Sequence, residues 1–121
     1  MVSRVENDPA VGRSYQLQDG LRARLRMVGP RDAAGVRALL ERQGLEVDDL
    51  ELARLLRFDP RCRAVVCASA LIGPTETIVA LGSIDLDAQS PDMVIADAGV
   101  GEGLRQLVAN ALMSRARAHA A

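Results

Sequence analysis

The order of elements legible in this 121-residue chain predicts an α+β (mixed α/β) fold, a mostly antiparallel sheet flanked by helices. Three observations carry that reading. The runs "RAVVCASAL" (63–71) and "TIVALGSIDL" (77–86) read as strands joined at Gly73-Pro74. Two helix-spaced apolar stripes precede them, at Val36, Leu39, Leu40 and at Leu52, Leu55, Leu56. After them, "VIADAGVGEGLRQL" (94–107) passes from a strand through three alternating glycines into an amphipathic helix.

Residues 1–13 are polar and aperiodic and read as a flexible tail before a single domain over 14–121. "YQLQDGLRARLRM" (15–27) reads as a hairpin with a two-residue turn at Asp19-Gly20. Its second strand places Leu21, Ala23, Leu25 and Met27 on one face and Arg22, Arg24 and Arg26 on the other. Such an arginine row is ordinarily a solvated strand face, and alternatively an anion-binding one. Gly29-Pro30 opens the first helix, with Asp32 placed to meet its dipole and Gly44 as its stop. Asp48 or Asp49 caps the second helix, which Asp59-Pro60 ends.

The run 63–71 is apolar on both faces and so predicts a central strand. Gly82 inside its partner predicts a bulge. A loop from Asp87 to Asp92 leads to the strand Met93–Ala96 and the glycine loop. The last helix carries Leu104, Leu107, Val108, Ala111 and Leu112 at helical spacing, with Arg115, Arg117 and His119 at the end that favours cations.

The length supports one core without disulfides or metal, and 49% hydrophobic with 26% charged residues is ordinary for a globular protein. No apolar run approaches the roughly 20 residues of a membrane span. The N-terminal stretch lacks the apolar core of a signal peptide, so a cytoplasmic location is expected, with Cys62 and Cys67 as thiols. A net charge of −1, with Tyr15 and Phe58 as the only aromatics, gives no expectation of nucleic-acid binding. The charge is unevenly placed: residues 1–63 carry twelve Arg against ten acids. Residues 64–104 carry no base and six acids, Glu76, Asp85, Asp87, Asp92, Asp97 and Glu102.

Several chemistries fail on spacing. A dinucleotide fingerprint starting at Gly99 needs a glycine where Leu104 stands, and a Walker loop needs the lysine this chain lacks. No metal is expected from one His and two Cys. Asp85 and Asp87 begin like a calcium loop, but Ala96 stands where the closing Glu belongs. His119, the only histidine, reads as a helix-end cation. Cys62, between Arg61 and Arg63, is either a plain loop thiol or one with a lowered pKa, and Cys67 reads as a small core residue.

With these elements in place, "LRARLRMVGPRDAAGVRALLERQ" (21–43) resembles the first strand and helix of the GCN5-related N-acetyltransferases, the GNAT superfamily. "VIADAGVGEGLRQLVANALMSRARA" (94–118) is similar to that family's core motif, a strand followed by Q/R-x-x-G-x-G/A and a helix. The resemblance implies that loop amides and the helix N-terminus hold the pyrophosphate of acetyl-CoA, while the preceding strand pairs with the pantetheine arm. It carries a cofactor-binding expectation onto Val100, Gly101, Gly103, Leu104 and Arg105. Val100 stands where Gln or Arg is expected, Gly103 matches the central glycine, and Arg105 replaces the final Gly or Ala, where it crowds the phosphates or holds one itself. Asp97 and Glu102 repel a pyrophosphate. The sequence ends after this helix, so the C-terminal part of the fold, with the helix that usually carries the acid Tyr, is expected to be missing.

Two functions follow as expectations. The first is a GNAT-like domain that does not catalyse and acts through self-association or protein interaction. Its expected form is a homodimer through strand 93–96 and helix 104–118, because an apolar edge strand is a template for another chain. The second is a minimal acetyl-CoA-dependent N-acetyltransferase of an amine, completed by a second chain, in which Asp85 or Asp97 serves as base.

Overall fold

The structure, a computed structural model, describes residues 14–16, 21–100 and 103–120. The expected tail over 1–13, the Asp19-Gly20 turn, Gly101 and Glu102 lie outside them. The elements are β1 (Ser14–Gln16), β2 (Arg22–Met27), α1 (Ala33–Arg42), α2 (Asp49–Leu56), β3 (Arg63–Ile72), β4 (Thr75–Asp85), β5 (Met93–Ala96) and α3 (Gly103–Ala120). All five strands form one antiparallel sheet in chain order, with β1 and β5 at its edges.

Each side of the sheet carries a core. On one side α3 covers Ala64, Val66, Ala68, Val79, Ala80 and Ile84 with Leu104, Val108, Ala111 and Leu112. On the other, Val36, Leu39 and Leu40 of α1 and Leu52 and Leu56 of α2 bury Val65, Cys67, Ile78 and Leu81. The β3 side chains alternate between these two cores, which is why its sequence reads apolar on both faces.

The local chemistry of both short helices follows the sequence. Gly44 takes φ +75°, the left-handed conformation that ends α1 without a Cβ penalty. The Asp48 carboxylate accepts the Glu51 N–H at 2.8 Å while Glu51 accepts the Asp48 N–H at 3.2 Å, a reciprocal cap for α2.

Two expectations are corrected. Gln16 stands opposite Arg22, whereas a two-residue turn at Asp19-Gly20 would set it opposite Ala23. The observed register aligns Tyr15 with Ala23 and so packs the tyrosine against the α3-side core; burial of a face, not the tight turn, fixes the pairing. The bulge is at Val79, not at Gly82: Ala68 pairs with Ala80 and Ser69 with Ile78, leaving Val79 as the extra residue. Consecutive residues Val79 and Ala80 therefore both reach the α3-side core.

Gly82 has a different task. A Cβ built there would lie 2.7 Å from both Val108 Cγ1 and Leu112 Cδ1 and 3.2 Å from the Met93 carbonyl oxygen. The glycine lets α3 sit close against β4. Gly82→Ala is expected to destabilise the fold by about 1–2 kcal/mol, because stiff Val108 cannot yield as a long side chain would. Urea denaturation with an unchanged m-value checks this.

The α1 entrance is fixed by one ion pair. Both Arg26 terminal nitrogens bind the Asp32 carboxylate, at 2.9 and 2.8 Å, and Asp32 also accepts the Gly29 N–H at 2.8 Å. Asp32 is only 8% exposed. The Arg26 hydrogen bonds outweigh burial and hold its carboxyl below the ordinary 3.8. A depressed folded pKa contributes stability that is complete above the unfolded value and fades as pH falls through the folded one. Asp32→Asn is therefore expected to cost about 2 kcal/mol at pH 7, with the gap to the parent protein narrowing below about pH 4. Urea midpoints measured from pH 7 to pH 3 test both parts.

Candidate functional site at the β5 edge

The loop that follows β5 is built from the core outward. The Asp97 N–H donates to the Val79 carbonyl at 2.8 Å, and Val100 N–H closes a turn onto the Asp97 carbonyl at 3.1 Å. Val100 is nearly buried and packs in the α3-side core, as does fully buried Leu104. Neither side chain faces a ligand, so at these two positions only backbone groups could contact a cofactor. Gly103 is the first residue of α3, and a Cβ there would meet nothing within 4 Å. Packing does not require its glycine.

The two acids proposed as bases are far apart. Asp97 follows β5 opposite Val79, while Asp85 ends β4 opposite Arg63. Six residues of strand separate those β4 positions, about 20 Å. Asp85 accepts the Asp87 N–H at 2.9 Å in a local turn.

Asp97 is not the uncompensated charge that its own stretch of sequence suggests. Arg42, from the end of α1, donates Nε to it at 3.0 Å and its Nη2 to the Ile78 carbonyl at 2.8 Å. The other carboxylate oxygen accepts the Gly99 N–H at 3.0 Å. A cation 55 residues away in sequence thus neutralises the acid at the mouth of the loop. Nothing in the sequence around Asp97 signals Arg42. The nearest hint is only that Arg42 closes a helix with no acid of its own in reach. Arg63 plays the same part for Asp92, also bonding the buried Ser83 hydroxyl at 3.1 Å.

Arg105 decides what the β5 edge offers. The bond from Asp97 to Val79 sets the ladder so that Met93 and Ile95 turn their backbone groups toward β4. Val94 and Ala96 turn theirs to the free edge. Arg105 Nη1 donates to the Val94 carbonyl at 2.8 Å, reaching from the first turn of α3 across that edge.

Burial pushes Cys67 up to about 11. Cys62 is exposed, with its sulfur 3.9 Å from Asp59. Arg61 binds the same Asp59 carboxylate, while Arg63 turns to Ser83 and Asp92. Among the described residues no group of three or more His, Cys, Asp or Glu is placed to hold a metal ion, and no helix is long and apolar enough to cross a membrane.

The fold as a whole has a counterpart among solved structures. The chain is similar to the GNAT domain of S. lividans PAT, known from its crystal structure, with a TM-score of 0.68. The likeness covers 88% of this chain and 72% of that one at 17% sequence identity. This is a GNAT fold. No protein-family model matches the chain, and no curated protein matches it. The GNAT-like sheet and its α3 are therefore the frame in which Arg105 and Arg42 have to be understood, and the fold by itself assigns no activity.

Proposed function

We propose that this GNAT-like domain does not transfer acetyl groups and works by association with protein, in the first place with a second copy of itself. The observation that carries the reading is the bond from Arg105 to the Val94 carbonyl. In the fold family that edge pairs with the pantetheine arm of acetyl-CoA, and a small residue at the Arg105 position leaves room for its phosphates. Here a guanidinium occupies one of the edge acceptors, and neither Val100 nor Leu104 presents a polar side chain. The residues present do not fit the cofactor.

Association uses what remains of the edge. A second β5 running antiparallel across a two-fold axis would pair Val94 with the copy's Ala96, with Ile95 beside its twin. Met93 to Ala96 are all half-buried, so such a contact would bury apolar surface on both sides of the strand. Arg105 competes with it for the Val94 carbonyl.

One observation favours the alternative, an acetyl-CoA-dependent N-acetyltransferase of an amine. Arg42 removes much of the Asp97 charge that would repel a pyrophosphate, and exposed Arg105 could hold a phosphate instead of Val94.

Isothermal calorimetry with acetyl-CoA separates the two readings. No binding at micromolar concentration is expected; micromolar binding abolished by Gly103→Asp, a change with open space around it, would restore the enzyme reading. Sedimentation equilibrium tests association separately. A dimer is expected, weakened by Ile95→Lys and strengthened about threefold by Arg105→Ala, which frees an edge acceptor. A monomer at all micromolar concentrations would sink the self-association model.

A further inference from the structure

The arginine row of β2 has no part in that reading, and the tertiary structure gives it a setting the sequence does not. Arg22, Arg24 and Arg26 lie on the α1 side of the sheet, where the helices leave β1, β2 and the upper part of β3 uncovered. Beside them α1 and its leading turn present Arg31, Gly35, Ala38 and Arg42 as one flank, at the spacing of a single helix side. At its middle Gly35 lets the helix approach β4 closely, since a Cβ there would lie 3.0 Å from Ile78 Cδ1. Two cavities lie on this side, of about 370 Å³ beside Arg26 and Arg31 and about 310 Å³ beside Arg22 and Arg24. Glu76 lines both, so the two adjoin on one face as a trough with Glu76 between its halves.

Among the described residues the trough carries more arginines than carboxylates. Asp32 engages Arg26, and Asp97 engages Arg42. Among the described residues Arg22, Arg24 and Arg31 form no ion pair, against one remaining carboxylate, Glu76, whose oxygen accepts the hydroxyl of nearly buried Ser69 at 3.1 Å. Leu71, 64% exposed, adds an apolar wall beside Arg22 and Arg24.

We infer that this trough binds an extended acidic peptide of a partner protein, with carboxylates on alternate residues and apolar side chains between them. Arg22 and Arg24 are two strand residues apart, about 7 Å, which is the repeat of same-side side chains in an extended peptide. Guanidinium groups grip carboxylates through paired hydrogen bonds. The Glu76 carboxylate opposes a compact polyanion, whose charges cannot avoid it, whereas spaced carboxylates straddle it. Leu71 then packs against the aliphatic stem of a carboxylate side chain of the same peptide. The site is independent of the β5 edge and of whether acetyl-CoA binds there.

The test is fluorescence anisotropy of a short labelled peptide of alternating Glu and Leu, titrated with the full chain at low salt. Saturable micromolar binding is expected that weakens as salt rises. Arg22→Glu combined with Arg24→Glu is expected to weaken it about tenfold or more, and Arg31→Gln about threefold. Arg57→Glu, an exposed arginine outside the trough, is expected to leave it unchanged. A Gln-Leu peptide is expected not to bind. The arginines changed are exposed, and an unaltered thermal midpoint checks that each variant is folded. Absence of saturable binding overturns the inference, as does equal affinity in the Arg22/Arg24 variant. Inorganic tripolyphosphate binding more tightly than the peptide, with the same loss in that variant, would make the trough a phosphate site and overturn the peptide assignment.

Discussion

The close approach of α3 to β4 at Gly82 is the contact on which the rest of the molecule depends. With Val108 and Leu112 seated where a side chain would otherwise stand, the helix lies flat on a sheet face made largely of alanine and valine. Its height above the sheet and its rotation are then fixed by hard contact, since packed interiors deform little. That placement carries Leu104 into the core and swings Arg105, one residue further on, out to the β5 edge. The bulge at Val79 cooperates, turning two consecutive β4 residues toward the helix and closing the space that a regular strand would leave.

Electrostatics in this domain are settled between elements rather than along the chain. Asp32, Asp92 and Asp97 each meet an arginine from another strand or helix. Arg26 with Asp32 ties the end of β2 to the start of α1, and Arg42 with Asp97 ties the end of α1 to the glycine loop. The first is the more important for folding because it is bidentate and its carboxylate is the less exposed; the second is a single bond, and its worth lies more in orientation than in stability. Of the six acids in the stretch without a base, Asp92 and Asp97 are thus paired once the fold brings Arg63 and Arg42 alongside them.

For the function proposed, the same few ångströms at the β5 edge matter most. A family motif read as a string treats position 105 as a missing glycine or alanine. In the fold it is an added donor, aimed at a strand carbonyl that would otherwise be free. An exposed edge acceptor satisfied from within is less available both to a cofactor amide and to another strand. The arginine side of β2 shows the converse: among the described residues Arg22 and Arg24 form no ion pair, on a face that neighbouring helices stop short of covering.

Periodicity, turn residues and the strand–glycine–helix order were sufficient to determine the element order, both helix stops, the reciprocal cap at Asp48, the central place of β3 and the GNAT-like character of the fold. All of these are set within one element or between neighbours in the chain, where side-chain spacing is itself the physical cause. The sequence alone misplaced the bulge at Gly82, left the register of the first hairpin unread, and counted Asp97 as an unopposed charge. Tertiary structure decided these because each depends on what lies across the sheet: α3 above Gly82, Ala23 opposite Tyr15, and Arg42 arriving from 55 residues away. The direction of Arg105 belongs to the same class. Helix periodicity shows that it leaves the core, but only the position of β5 beside the first turn of α3 supplies the carbonyl it meets.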